Sequence, residues 1–122
     1  MKAKFFVCTA LSVVMAGCAT PDPLASMPLA TAEEKEAAQR ELIRCVEVNA
    51  KRLDDGISQA NLVAESVAAA CYDPFAIVYK TQTQGQPVNV RRGFEGDSWQ
   101  RTKVRMTTSM ILTIRARERG NR

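Results

Sequence analysis

Two mainly apolar stripes at helical spacing, separated by a hard stop, constrain this chain more than any other feature. Leu42, Val46, Asn49, Ala50 and Leu53 recur at three and four residues with Ile43 beside them, and Leu62, Val63, Ser66, Val67, Ala70 and Cys71 repeat the pattern after Asp54-Asp55-Gly56. Thr31-Ala32-Glu33-Glu34 has the form of a capping box: the threonine hydroxyl can accept from the backbone of Glu34, whose carboxylate can answer at the cap. A helix over about 31–54 follows, and Asp54-Asp55-Gly56 supplies its stop. Ser58 can cap a second helix over 58–71, with Ile57 and Leu62 placed to form a hydrophobic staple. Alanines 68 to 70 permit a neighbouring helix to approach closely. Two amphipathic helices joined by so short a connection predict an antiparallel hairpin.

Downstream, Asp73-Pro74 reads as a cap followed by proline at the first helical position. Phe75, Val78, Tyr79 and Gln82 then share one face of a helix over 74–83. Phe75 to Tyr79 also has strand composition, and Gln84-Gly85-Gln86-Pro87 could turn such a strand toward Val88 and Val90; helix is the preferred reading. Gln84 to Gly96 becomes an irregular link carrying Arg91-Arg92. Asp97-Ser98-Trp99-Gln100 has the form of a second capping box and opens a last helix over about 98–119. Trp99, Val104, Met106, Met110, Ile111 and Ile114 form its expected core face. Arg101, Arg105, Arg115 and Arg119 line the opposite side, with Leu112 an exposed apolar residue among them. The expected fold class is all-α, a small bundle of three to four helices.

A chain of 122 residues has room for one small domain. Histidine is absent, which removes Ser-His-Asp and Cys-His nucleophile systems, His-ligated zinc and the commonest general base near neutral pH. Asp54-Asp55 is a helix stop before it is a catalytic pair, and neither a Gly-rich phosphate loop nor a Ser–Lys dyad motif is visible. A non-enzymatic protein without cofactor or metal is expected. The net charge of +4 hides an asymmetry: Asp22 to Asp73 holds ten acids and five bases, Pro74 to Arg122 ten bases and three acids. The plain explanation packs the basic last helix beside the acidic hairpin. The functional one makes Arg101, Arg105, Arg115 and Arg119 a contact surface for an anionic partner. Trp99 reads first as a core anchor and second, with Tyr72, as a platform for a ligand.

At the N-terminus Lys2 and Lys4 precede an apolar run from Phe5 to Ala16, interrupted only by Thr9 and Ser12. A helix of that length spans ~18 Å against ~30 Å of hydrocarbon, which suits a signal peptide better than a membrane span. Cys8 acts there as a small hydrophobe. The run ends in Met15-Ala16-Gly17-Cys18, which resembles the bacterial lipobox, with Met15 where the family more often has leucine. The resemblance covers the first eighteen residues. It implies that 1–17 are removed and that Cys18 receives a diacylglyceryl thioether and becomes the new N-terminus. Because Ala19 rather than aspartate follows, it further implies the outer membrane, facing the periplasm. The competing reading is an ordinary secretory signal cut nearby, leaving Cys18 as a thiol or a disulfide partner. Residues 18–30, with Pro21, Pro23 and Pro28, then read as a lipidated N-terminus and flexible tether before a helical domain over 31–122.

With Cys8 removed and Cys18 acylated, Cys45 and Cys71 remain, one on each arm of the hairpin and about one helical turn apart in height. An oxidising compartment favours a disulfide between them; two buried free thiols are the rival, and a metal pair lacks further soft ligands. The anchor, the tether and the helical caps together lead to the expectation of an outer-membrane lipoprotein acting as an interaction or assembly module. Its partner would be an envelope protein or an anionic envelope component, and nucleic acid is excluded by location. The alternative is a helical binding protein for a small apolar envelope ligand.

Overall fold

Thr31 opens the first helix as its capping box requires: its hydroxyl accepts from the Glu34 N–H at 3.1 Å, and the Glu34 carboxylate accepts from the Thr31 N–H at 2.7 Å. In the computed structural model, which describes residues 22–121, that helix is α1 (Ala32–Leu53). It is followed by α2 (Ala60–Ala70), α3 (Tyr72–Thr83), the single turn α4 (Val88–Arg91), a 3-10 turn (Arg92–Phe94) and α5 (Gly96–Gly120). The protein is all-α, and no strand occurs among the described residues. The stretch 75–83 is therefore helix rather than half of a hairpin of strands. The apolar leader and Cys18 lie outside the described residues.

The core joins Leu42, Val46 and Ala50 of α1 to Val63, Ala64, Val67 and Ala68 of α2, Phe75 and Val78 of α3, and Ile111 and Ile114 of α5. α2 packs chiefly against α5, and α1 chiefly against α3. Cys71 is the elbow where α2 and α3 meet at 79°, serving as the last cap of one helix and the first of the other. It lies at disulfide-bonding distance from Cys45, with Cα atoms 5.9 Å apart, so the cross-link ties the elbow to the middle of α1.

Several local readings are corrected. α2 buries Val63, Ala64, Val67, Ala68 and Cys71, whereas Leu62, Ser66 and Ala70 face outward, a stripe turned by one residue. Cys71 is held inward by its bond to α1, and alanines at 64 and 68 let α5 come close. Ser58 does not cap α2. Its hydroxyl and N–H both donate to the Asp55 carboxylate, at 2.6 and 2.7 Å, Gln59 takes the cap position without a side-chain bond, and Ile57 is 90% exposed rather than stapled.

α3 begins at Tyr72 because the Cys71 carbonyl accepts from the Phe75 N–H. Pro74 is thus third in the helix, still within the turn where a missing N–H costs nothing. α5 begins at Gly96, whose φ of 56° turns the chain out of the 3-10 segment, and Glu95 caps it without a side-chain bond, so Asp97 forms no capping box. The expected irregular link contains α4 and that 3-10 segment. On α5 the buried set is Thr107, Ile111 and Ile114, while Met106 is 40% exposed. Thr107 is admitted because its hydroxyl donates to the Lys103 carbonyl at 2.9 Å, leaving a methyl to pack.

The largest correction concerns the flexible tether. Residues 22–30 lie along the α3–α4 corner as a strap. The Asp22 carboxylate pairs with Arg91, whose side chain is buried; the Leu24 carbonyl accepts from the Gly85 N–H at 2.8 Å; and the Pro28 carbonyl accepts from the Gln84 side chain at 3.1 Å. Gly85 has φ of 68°, and a Cβ there would stand 2.7 Å from the Met27 carbonyl oxygen and 2.9 Å from the Leu29 nitrogen, so only glycine fits. Composition cannot show this, because each partner lies more than fifty residues away.

Candidate functional site

Helix α5 carries the predicted basic row, and the structure divides that row by role. Arg115 faces inward: its Nε donates to Asp54 Oδ2 at 2.8 Å, and its Nη2 donates to Asp54 Oδ1 at 2.5 Å and to the Ser58 carbonyl at 2.8 Å. This two-pronged grip, largely shielded from solvent, fixes α5 to the end of α1. Arg101, Arg105 and Arg119 point outward, with Leu112 exposed beside them, and none of the three meets an acid within ion-pair distance among the described residues. Arg101 and Arg105 border a shallow groove of about 560 Å³ between α2 and α5, lined also by Asn61, Glu65, Val104 and Thr108.

Asp54 and Asp55 are structural. The Arg115 guanidinium holds the Asp54 carboxyl below its ordinary value of 3.8, and Asp54 in turn raises Arg115. Asp55 is brought to about 2 by the Ser58 hydroxyl, helped by the backbone N–H groups of Ser58 and Ile57. Both oxygens of Asp54 accept from the Arg115 guanidinium, and both oxygens of Asp55 accept from Ser58, so the two carboxylates hold the turn after α1.

Because both carboxyls are depressed on folding, the unfolded chain binds more protons in acid. Their contribution is complete above the unfolded value of 3.8 and disappears as pH falls toward the folded values. The urea midpoint is expected to be flat from about pH 7 to 5 and to fall below about pH 4. Asp54→Asn should make the acid limb shallower, the Asp55 part remaining, and a wild-type midpoint constant down to about pH 2 would contradict the closed Asp54–Arg115 grip.

A second feature lies between α3 and the start of α5. Tyr72, Phe75, Tyr79, Phe94 and Trp99, every aromatic residue outside the leader, line one cavity of about 330 Å³. Trp99 is its hub, with ring centroids 5.5 Å from Phe94, 6.1 Å from Tyr79 and 6.2 Å from Phe75, the last nearly perpendicular. The Lys103 ammonium stands 6.0 Å from the centres of both Tyr72 and Phe75, and Glu95 is at the rim. Trp99 is thus both a core anchor and part of an open concave wall. Tyr72 joins it, as the sequence suggests; Tyr79, Phe94 and Lys103 are additions, foreshadowed only by the crowding of aromatic residues between 72 and 99. A third, apolar groove of about 450 Å³ runs between α1 and α5 past Ile43, Met106 and Met110.

Among the described residues no three His, Cys, Asp or Glu side chains converge as a metal site. The arrangement offers guanidinium groups on an exposed helix and aromatic rings around a small cavity. No family model, curated protein or solved structure matches this chain.

Proposed function

We propose that this chain is a lipid-anchored protein of the bacterial outer membrane, facing the periplasm, which acts as a non-enzymatic interaction or assembly module through the exposed arginines of α5. The observation that carries the contact surface is the division of labour on α5. Arg115 pins the helix from below, while Arg101, Arg105 and Arg119 meet no acid within ion-pair distance among the described residues and are exposed. The partner is an acidic envelope protein or another anionic envelope component. The address rests on Lys2 and Lys4, the apolar run and Met15-Ala16-Gly17-Cys18 followed by Ala19.

Crosslinking in intact cells followed by pull-down tests the surface. One envelope protein should be recovered in fixed stoichiometry and lost with Arg101/Arg105/Arg119→Glu; Arg115 is left untouched because it holds the fold. Equal recovery with that variant would sink the assignment. For the anchor, Cys18→Ser should abolish lipid labelling and release the protein from membranes, and unchanged partitioning would count against acylation.

The aromatic cavity favours a second reading, a domain that holds a small apolar molecule against Trp99 and Tyr72. Trp99 is the chain's only tryptophan, so its emission reports occupancy directly. A molecule extracted from the purified protein that shifts this emission on return would support it, and a silent titration would remove it.

A further inference from the structure

The strap fixes where the lipid leaves the domain. Asp22 is bound to Arg91, and four residue steps upstream lies Cys18, a distance of at most ~14 Å for extended chain. If Cys18 sits in the bilayer, the α3–α4 corner cannot move more than that distance from the surface. A free tether of residues 18–30 would have reached ~40 Å; the docked strap removes most of that freedom.

The same corner carries exposed apolar side chains. Leu29 of the strap is 60% exposed, and Val88 and Val90 of α4 are 53% and 42% exposed. Leu29 follows Pro28, which accepts from Gln84, and Val90 directly precedes Arg91; Val88 stands three residues from both Gly85 and Arg91. Arg92 is exposed beside them. Small apolar side chains next to an arginine suit the boundary between headgroups and acyl chains, where the former enter and the latter pairs with phosphate. Glu95 and Asp97 follow shortly and are exposed, so net charge does not drive the contact. The short leash and the apolar residues do.

We infer that the strap corner of this domain, Leu29, Val88, Val90 and Arg92, is a bilayer-contact surface that rests on phospholipid headgroups and gives the anchored domain a fixed orientation. The inference rests on the lipid-anchor reading. The far end of α1 lies about 33 Å from its start along a helix of 22 residues, which makes the turn after it the distant reference point.

The test uses the acylated full chain in vesicles of phosphatidylethanolamine and phosphatidylglycerol, with a fluorophore on Val90→Cys or, in a second preparation, on Ile57→Cys in the turn after α1. Headgroup-linked nitroxide should quench the dye at position 90 severalfold more than at 57. Gly85→Ala, which collides with the strap backbone, and Asp22→Asn, which only weakens the Arg91 pair, should both narrow that difference. Equal quenching at the two positions in protein that floats with the vesicles would overturn the orientation while leaving the anchor intact. Protein that fails to float would overturn the anchor and the inference together.

Discussion

Phe75→Ala is expected to lower the unfolding free energy by about 3–5 kcal/mol, read from urea denaturation followed by circular dichroism. The ring is 2% exposed, the largest of the fully enclosed side chains, and projects from α3 into the core shared with α1. It stands edge-on to Trp99, so its loss empties core volume and removes one wall of the aromatic cavity at once. Domains of this size are stable by about 5–15 kcal/mol, so a loss of this size removes a large fraction of the margin. Phe75→Leu, which keeps most of the volume, should lose less than half as much. A loss under about 1 kcal/mol for Phe75→Ala would mean that α3 does not pack against the core as described.

Removal of the cross-link is next in size. Cys45→Ala with Cys71→Ala is expected to cost about 3.5 kcal/mol, the chain-entropy value for a separation of 26 residues. Alanine is the cleaner replacement at position 71, which is fully enclosed and would bury a serine hydroxyl. Loss of the bond frees the α2–α3 elbow from α1, and the denaturation slope should show whether α3 loosens before the rest. Reductant should lower wild-type stability by the same amount and leave the double variant unchanged. Two free thiols counted in wild-type protein unfolded without reductant would establish the rival state.

Readability in the sequence followed the range of the interaction. The Thr31–Glu34 capping box is a contact across three residues, and both of its bonds form. The helix stop at Asp54 was equally local. Ser58 failed as a cap because Asp55, also local, competed for it, and the sequence offers no ranking between the two. The α2 stripe came out one residue off because Leu62 outweighs Ala64 in hydrophobicity, whereas closeness to α5 rewards the smaller side chain.

At the candidate site, helical phase put Arg101, Arg105, Arg115 and Arg119 in one row, but phase cannot know that Asp54 waits 61 residues upstream for one of them. The strap was the least legible of all. Its prolines and small residues have the composition of a linker, and the bonds that settle it, Asp22 to Arg91 and Leu24 to Gly85, span more than half the domain.

That strap also determines how the protein responds to tension. A pull arriving along the N-terminal chain does not enter α1 end-on, where a helix unravels one turn at a time. It reaches first the Asp22–Arg91 pair and the bonds at Gln84 and Gly85, which share the force between them. Those contacts act as a strain relief, so a pull on the chain ahead of Asp22 spends itself at the corner before α1 and its cross-linked middle are disturbed.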